Sequence, residues 1–91
     1  EPGYYKAGEY GIRIENLVLV ESRDIAGAEG DFCGFETLTF VPIDRALVDV
    51  SLLTPAERAW WNTYHTRTHA LLAPLLDGAD LAWLEQACAP I

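Results

Sequence analysis

The chain has 91 residues, 51% of them apolar and 11% aromatic, which is enough for one small core and too much for a disordered segment. Six Lys and Arg against 14 Asp and Glu leave a formal net charge of −8, so the basic surface that nucleic acid or an anionic membrane requires is missing. The apolar runs all fall short of the ~20 residues that span a bilayer, and no basic segment with an apolar core behind it opens the chain.

Strand chemistry comes first. Tyr4 and Tyr5, then Ile12, Ile14 and the run Leu17 to Val20, flank a turn signal at Ala7-Gly8-Glu9. Folding about Gly8 sets Glu1 opposite Glu15 and Gly3 opposite Arg13. Because side chains alternate along a strand, Glu1, Tyr5, Arg13 and Glu15 are expected to share one face. Two carboxylates directly across a ladder repel, so something positive should lie between them. The hairpin is expected to run to about Ser22. A small, polar loop follows from Asp24 to Asp31, and a third strand is expected from Phe32 to Ile43. Pro42 lacks a ladder donor and should mark that strand's end or an edge.

Helical signals take over at Thr54-Pro55-Ala56-Glu57. Thr54 can cap the first free N–H groups, Pro55 suits the first helical position, and Glu57 can bond back to the cap. The apolar residues Ala56, Ala59, Trp60, Tyr64, Thr68, Leu71, Leu72 and Leu75 recur at helical steps, so this stripe, with Trp60 rather than Trp61, is expected to be the buried one. Pro74 should kink or end the helix. Asp77-Gly78 reads as a stop, and Leu81, Leu84, Ala87 and Cys88 as a short last helix. His65 and His69 form an i, i+4 pair without an acidic third ligand, so they are expected to be ordinary histidines and not metal ligands. Cys33 and Cys88 lie too far apart for a metal or redox motif and read as reduced thiols, although a disulfide stays open. The chain starts with Glu instead of Met, which reads as a piece cut from a longer protein.

"EPGYY" followed by "GIRIEN" resembles the C-terminal part of the pita-bread metallopeptidases, with the nearest likeness to the Xaa-Pro aminopeptidase (aminopeptidase P) branch. "FETLTFVPI" and "LTPAERAWWNTYH" resemble the extra C-terminal segment of its long-form members, so the likeness covers essentially the whole chain. The resemblance implies an α+β fold: the C-terminal part of a pita-bread domain, with antiparallel strands followed by a helical extension. Residues 1–31 would close the catalytic domain with its metal-ligand hairpin and loop. Residues 32–91 would be the third strand and the helical segment of long-form members.

The family binds two divalent metal ions through two Asp, one His and two Glu. By resemblance the two Glu fall on Glu1 and Glu15, and Glu1 is also the candidate to manage a catalytic proton. Tyr5 and Arg13 match residues that steady a metal-binding Asp by hydrogen bonding. Hard carboxylate ligands suit Mn²⁺, with Zn²⁺ or Co²⁺ as alternatives, and such cations would remove the repulsion between facing carboxylates. The implied substrates are peptides with proline at the second position, handled by a cytoplasmic homodimer that uses neither nucleic acid nor membrane. The two Asp and the His do not occur here, so the 91-residue chain alone is expected to be inactive and to hold no metal. Two alternatives stand beside this reading: a non-catalytic docking or dimerisation module, and a prolidase-like dipeptidase parent.

Overall fold

Turn chemistry at Gly8 sets the geometry of the first structural element. The computed structural model describes residues 3–91. Strands β1 (Tyr4–Lys6) and β2 (Tyr10–Ile12) pair antiparallel, with Tyr4 opposite Ile12, Tyr5 opposite Gly11 and Lys6 opposite Tyr10. This is the register expected from folding about Gly8. Glu9 N–H donates to the Lys6 carbonyl at 3.0 Å, and Gly8 takes φ +75 at the third position of that turn. An L side chain resists that conformation, which is why glycine stands there. A Lys6–Glu9 ion pair at 2.8 Å closes the turn from outside.

The expected first hairpin is in fact two pieces. Among the described residues its second strand stops at Ile12, and residues 13–17 lie between it and β3 (Val18–Arg23). Strand β3 pairs antiparallel with β4 (Phe32–Thr37), Val18 opposite Thr37 and Arg23 opposite Phe32, around the expected Asp24–Asp31 loop. Strand β4 ends at Thr37, six residues before Ile43, where the third strand was expected to stop. Val18, the first residue of β3, lies opposite Thr37, so the β3–β4 ladder is complete there. The described residues therefore hold four short strands in two hairpins, where three strands were expected. A Cβ on Gly34 would lie 2.6 Å from Arg23 Nε, so the Arg23 side chain would have to shift to admit one.

The chain divides into two compact units, Glu1–Thr39 and Phe40–Ile91. The second unit is built on helix α1 (Pro55–Leu72), which starts as its capping residues dictate. Glu57 N–H donates to Thr54 Oγ1 at 3.3 Å, and Thr54 N–H donates to Glu57 Oε2 at 2.8 Å. Each side chain thus satisfies the other residue's orphan N–H. The helix ends before Pro74, which sits in a 3₁₀ turn over Ala73–Leu75. A short helix α2 (Gly78–Ala87) follows, as expected, with Gly78 at φ +49.

The buried face of α1 is displaced by one residue from the expected stripe. Trp61 (4% exposed), Tyr64, His65 and Thr68 are buried, whereas Trp60 is 48% exposed and Leu71 and Leu75 are also exposed. Spacing does not separate the two phases, because 61, 64, 65 and 68 fit a helical face as well as 60, 64, 68 and 71 do. The choice is made by polar groups that find partners. His65 Nδ1 lies 2.9 Å from the Trp61 carbonyl and Nε2 accepts from Ile43 N–H at 3.0 Å, which places the ring proton on Nδ1. Thr68 Oγ1 donates to the Tyr64 carbonyl at 2.9 Å. Both residues are fully buried, and with their polar atoms satisfied the burial costs little.

Tyr64 ties the entry segment of this unit down as well. Its hydroxyl donates to the Val41 carbonyl at 2.9 Å and accepts from Val41 N–H at 3.2 Å. The Phe40 ring stacks near Tyr64, and the Arg67 guanidinium lies 4.7 Å above Phe40. At the other end, Ile91 N–H donates to Asn62 Oδ1 at 3.0 Å, and Leu84 is fully buried. Both cysteines are free: Cys33 is exposed, while Cys88 is buried, which pushes its thiol pKa up.

Candidate metal-ligand hairpin

The register of β1 and β2 determines which side chains meet. In this register Tyr5 and Gly11 fall on one face, and Tyr4, Tyr10 and Ile12 on the other, where Tyr4 and Tyr10 lie with ring centroids 6.0 Å apart. Just beyond β2, Arg13 Nε donates to Glu15 Oε1 at 3.0 Å, with both side chains about half exposed. Two glycines make room for this row. A Cβ on Gly3 would lie 2.9 Å from Arg13 Cγ and 3.0 Å from the Tyr5 hydroxyl. One on Gly11 would lie 2.9 Å from Tyr5 Cδ1. The absence of two side chains lets Tyr5 lie across the hairpin toward Arg13.

Electrostatics follow the same row. Hydrogen bonding to Tyr5, and next the charge of Glu15, raise the Arg13 guanidinium above its ordinary pKa. Three of the four residues expected on one face, Tyr5, Arg13 and Glu15, are thus brought together. Glu1, the fourth, lies outside the described residues. Among the described residues no group of three or more His, Cys, Asp or Glu is placed to hold a metal ion. His65 has both ring nitrogens occupied inside the second unit, in keeping with the expectation that it is no ligand.

Thr39 was not singled out by the sequence. It lines an open cleft of about 420 Å³ together with Glu15, Asn16 and Leu17, and its Oγ1 accepts from Leu17 N–H at 3.3 Å. Only the pairing of β3 with β4 brings it there, so no local pattern could have found it.

Two antiparallel hairpins followed by two helices, the first of them with a capping box, define an α+β segment. The chain belongs to the family described as the C-terminal region of peptidase_M24, which matches residues 31–91. It is similar over its whole length to a probable Xaa-Pro aminopeptidase P of Arthroderma benhamiae, 46% identical over 95 residues and 14% of that relative. It is likewise similar to aminopeptidase P1 of Lotus japonicus, 42% identical over 94 residues and also 14% of that protein. Among solved structures, X-prolyl aminopeptidase from Caenorhabditis elegans, described as a cytosolic enzyme with a di-nuclear active site, matches with a TM-score of 0.81 and 39% identity. That match covers 99% of this chain and 15% of that one. The chain therefore spans about one seventh of the relatives it matches, and its α+β order of antiparallel strands then helices is that of the C-terminal part of X-prolyl aminopeptidase.

Proposed function

We propose that this chain is the closing segment of a dinuclear metal-dependent Xaa-Pro aminopeptidase, which removes the N-terminal residue from peptides with proline second. The observation that carries the reading is the contact of Arg13 with Tyr5 and Glu15 at the first hairpin. The names and the di-nuclear site of its relatives support it.

The donor chemistry fits a divalent metal. Glu15 is half exposed, offers hard oxygen, and has Oε1 held by Arg13, which leaves Oε2 to face a cation. Glu1 would be the second carboxylate from this chain, and the remaining ligands would come from outside it. When bound, the ions would supply Lewis-acid polarisation of the scissile carbonyl and activation of water. The chain's own residues would do the rest. Glu15 would hold metal, Arg13 would fix the angle of its carboxylate, and Tyr5 would hold Arg13. Glu1 would take and return the proton of the attacking water. Mn²⁺ is the proposed metal, since all-oxygen carboxylate donors suit it. The chain alone, with two of the five ligands, would not turn over substrate.

The division at residue 31 would separate the ligand hairpin and its loop from the third strand and the helical segment typical of long-form members. A docking or dimerisation role for residues 32–91 is favoured by their exposed Trp60 and Trp83, and the intact protein would be a cytoplasmic homodimer. The charge of −8 supports partners other than nucleic acid or membrane.

The test is Glu15→Gln in the full-length protein. Losing one charged ligand should remove metal and activity together, whereas Arg13→Ala should weaken metal binding by the ~10–100-fold typical of a supporting residue. Metal content in the Glu15 variant equal to wild type would end this assignment.

A further inference from the structure

Residues 13–17 pose a problem for a metal site. They carry Arg13 and Glu15, and among the described residues the ladder of β2 reaches only to Ile12 and that of β3 begins at Val18. A ligand carboxylate must be held within roughly 0.5 Å of its productive position, and among the described residues neither β2 nor β3 reaches Glu15. The Arg13–Glu15 bond does not supply it either, because both side chains belong to this same stretch.

The chain is fixed two residues after Glu15. Both backbone polar groups of Leu17 are held by the residues that follow β4. The Leu17 carbonyl accepts from Leu38 N–H at 2.9 Å, and Leu17 N–H donates to Thr39 Oγ1 at 3.3 Å. The first bond is between backbones and would survive any side chain. The second depends on a hydroxyl, and its acceptor lines the same open cleft as Glu15 and Asn16. We infer that Thr39 is a positioning residue for Glu15: its hydroxyl anchors Leu17 and so fixes the backbone that presents the carboxylate to the metal. At 3.3 Å the bond is long for N–H···O, so its effect is on geometry more than on stability. The inference rests on the proposed role of Glu15 as a ligand.

The experiment compares Thr39→Val, which keeps shape and removes the acceptor, with Thr39→Ser, which keeps the acceptor. Both are made in the full-length protein beside Glu15→Gln. Three quantities are read: Mn²⁺ affinity of the apoprotein by calorimetry, amide exchange at Leu17 without metal, and the split of kcat from KM. Thr39→Val should speed exchange at Leu17, lower Mn²⁺ affinity by ~10–100-fold and reduce kcat more than it changes KM. Thr39→Ser should restore all three toward wild type. Should Thr39→Val fail to fold, Thr39→Ala carries the same comparison.

Wild-type Mn²⁺ affinity in the valine variant overturns the inference, whether or not exchange at Leu17 rises. Equal losses in the valine and serine variants also overturn it, because packing and not the hydroxyl would then matter. If Glu15→Gln loses metal while Thr39→Val does not, this inference alone falls. If Glu15→Gln keeps wild-type metal, the proposed function falls and takes the inference with it.

Discussion

Replacing each of two adjacent tryptophans in α1 by alanine separates the two possible phases of that helix. Trp61 is 4% exposed and Trp60 is 48% exposed. A tryptophan that is almost wholly covered hides roughly 240 Å², worth about 6 kcal/mol at 25 cal/mol per Å². That figure is an upper bound, because the unfolded chain already covers part of the ring. Substitutions of this kind in cores cost about 3–5 kcal/mol. Trp60 hides about half as much area and keeps a stacking contact with Tyr64, ring centroids 5.3 Å apart. Its loss should cost roughly 1.5–2.5 kcal/mol by the same scaling. The assay is thermal unfolding of the 91-residue chain followed by far-ultraviolet circular dichroism, which does not rely on the indoles being removed. At ~4–8 °C per kcal/mol for a domain this small, Trp61→Ala should lower Tm at least twice as far as Trp60→Ala. Equal shifts, or a larger one for Trp60→Ala, would refute the buried face assigned to α1.

Two other outcomes are expected. Glu57 sits below the usual carboxylate pKa because it accepts first from the Thr54 backbone N–H and next from the Thr54 hydroxyl; its stabilising contribution is therefore present above the ordinary glutamate pKa of ~4.3 and fades as pH falls through the lower folded value. An acid titration of helix content should show that loss, and Glu57→Gln should flatten it. His65→Phe should leave Ile43 N–H without its acceptor and cost ~1–3 kcal/mol, with faster amide exchange at Ile43 as the specific sign.

How much of this was legible in the sequence depended on how local the cause was. The start of α1 was readable because Thr54, Pro55 and Glu57 interact only with each other and the first helical turn. The hairpin register was readable because Gly8 fixes the turn and alternation does the rest. The phase of α1 was not, since it depends on His65 and Tyr64 finding partners at Ile43 and Val41, more than 20 residues away. A histidine inside a helical pattern reads as polar until its acceptor and donor are both known. The start of β3 at Val18 was hidden for the same reason: only its pairing with β4, whose residues lie more than ten positions further on, sets it.

The part of the candidate site that was legible, Tyr5, Arg13 and Glu15 brought together, has a consequence for pH dependence. Arg13 is raised above its already high ordinary pKa, with Tyr5 the largest cause and Glu15 next. A guanidinium in that position stays charged across the whole range in which a peptidase works, so the Arg13–Glu15 bond cannot act as a switch there. A loss of activity between neutral and alkaline pH in the proposed enzyme would then not come from Arg13 losing its charge, and Arg13→Lys should leave such a limb where it is. Lysine, a point charge without the planar fork, should instead weaken metal binding at all pH values alike.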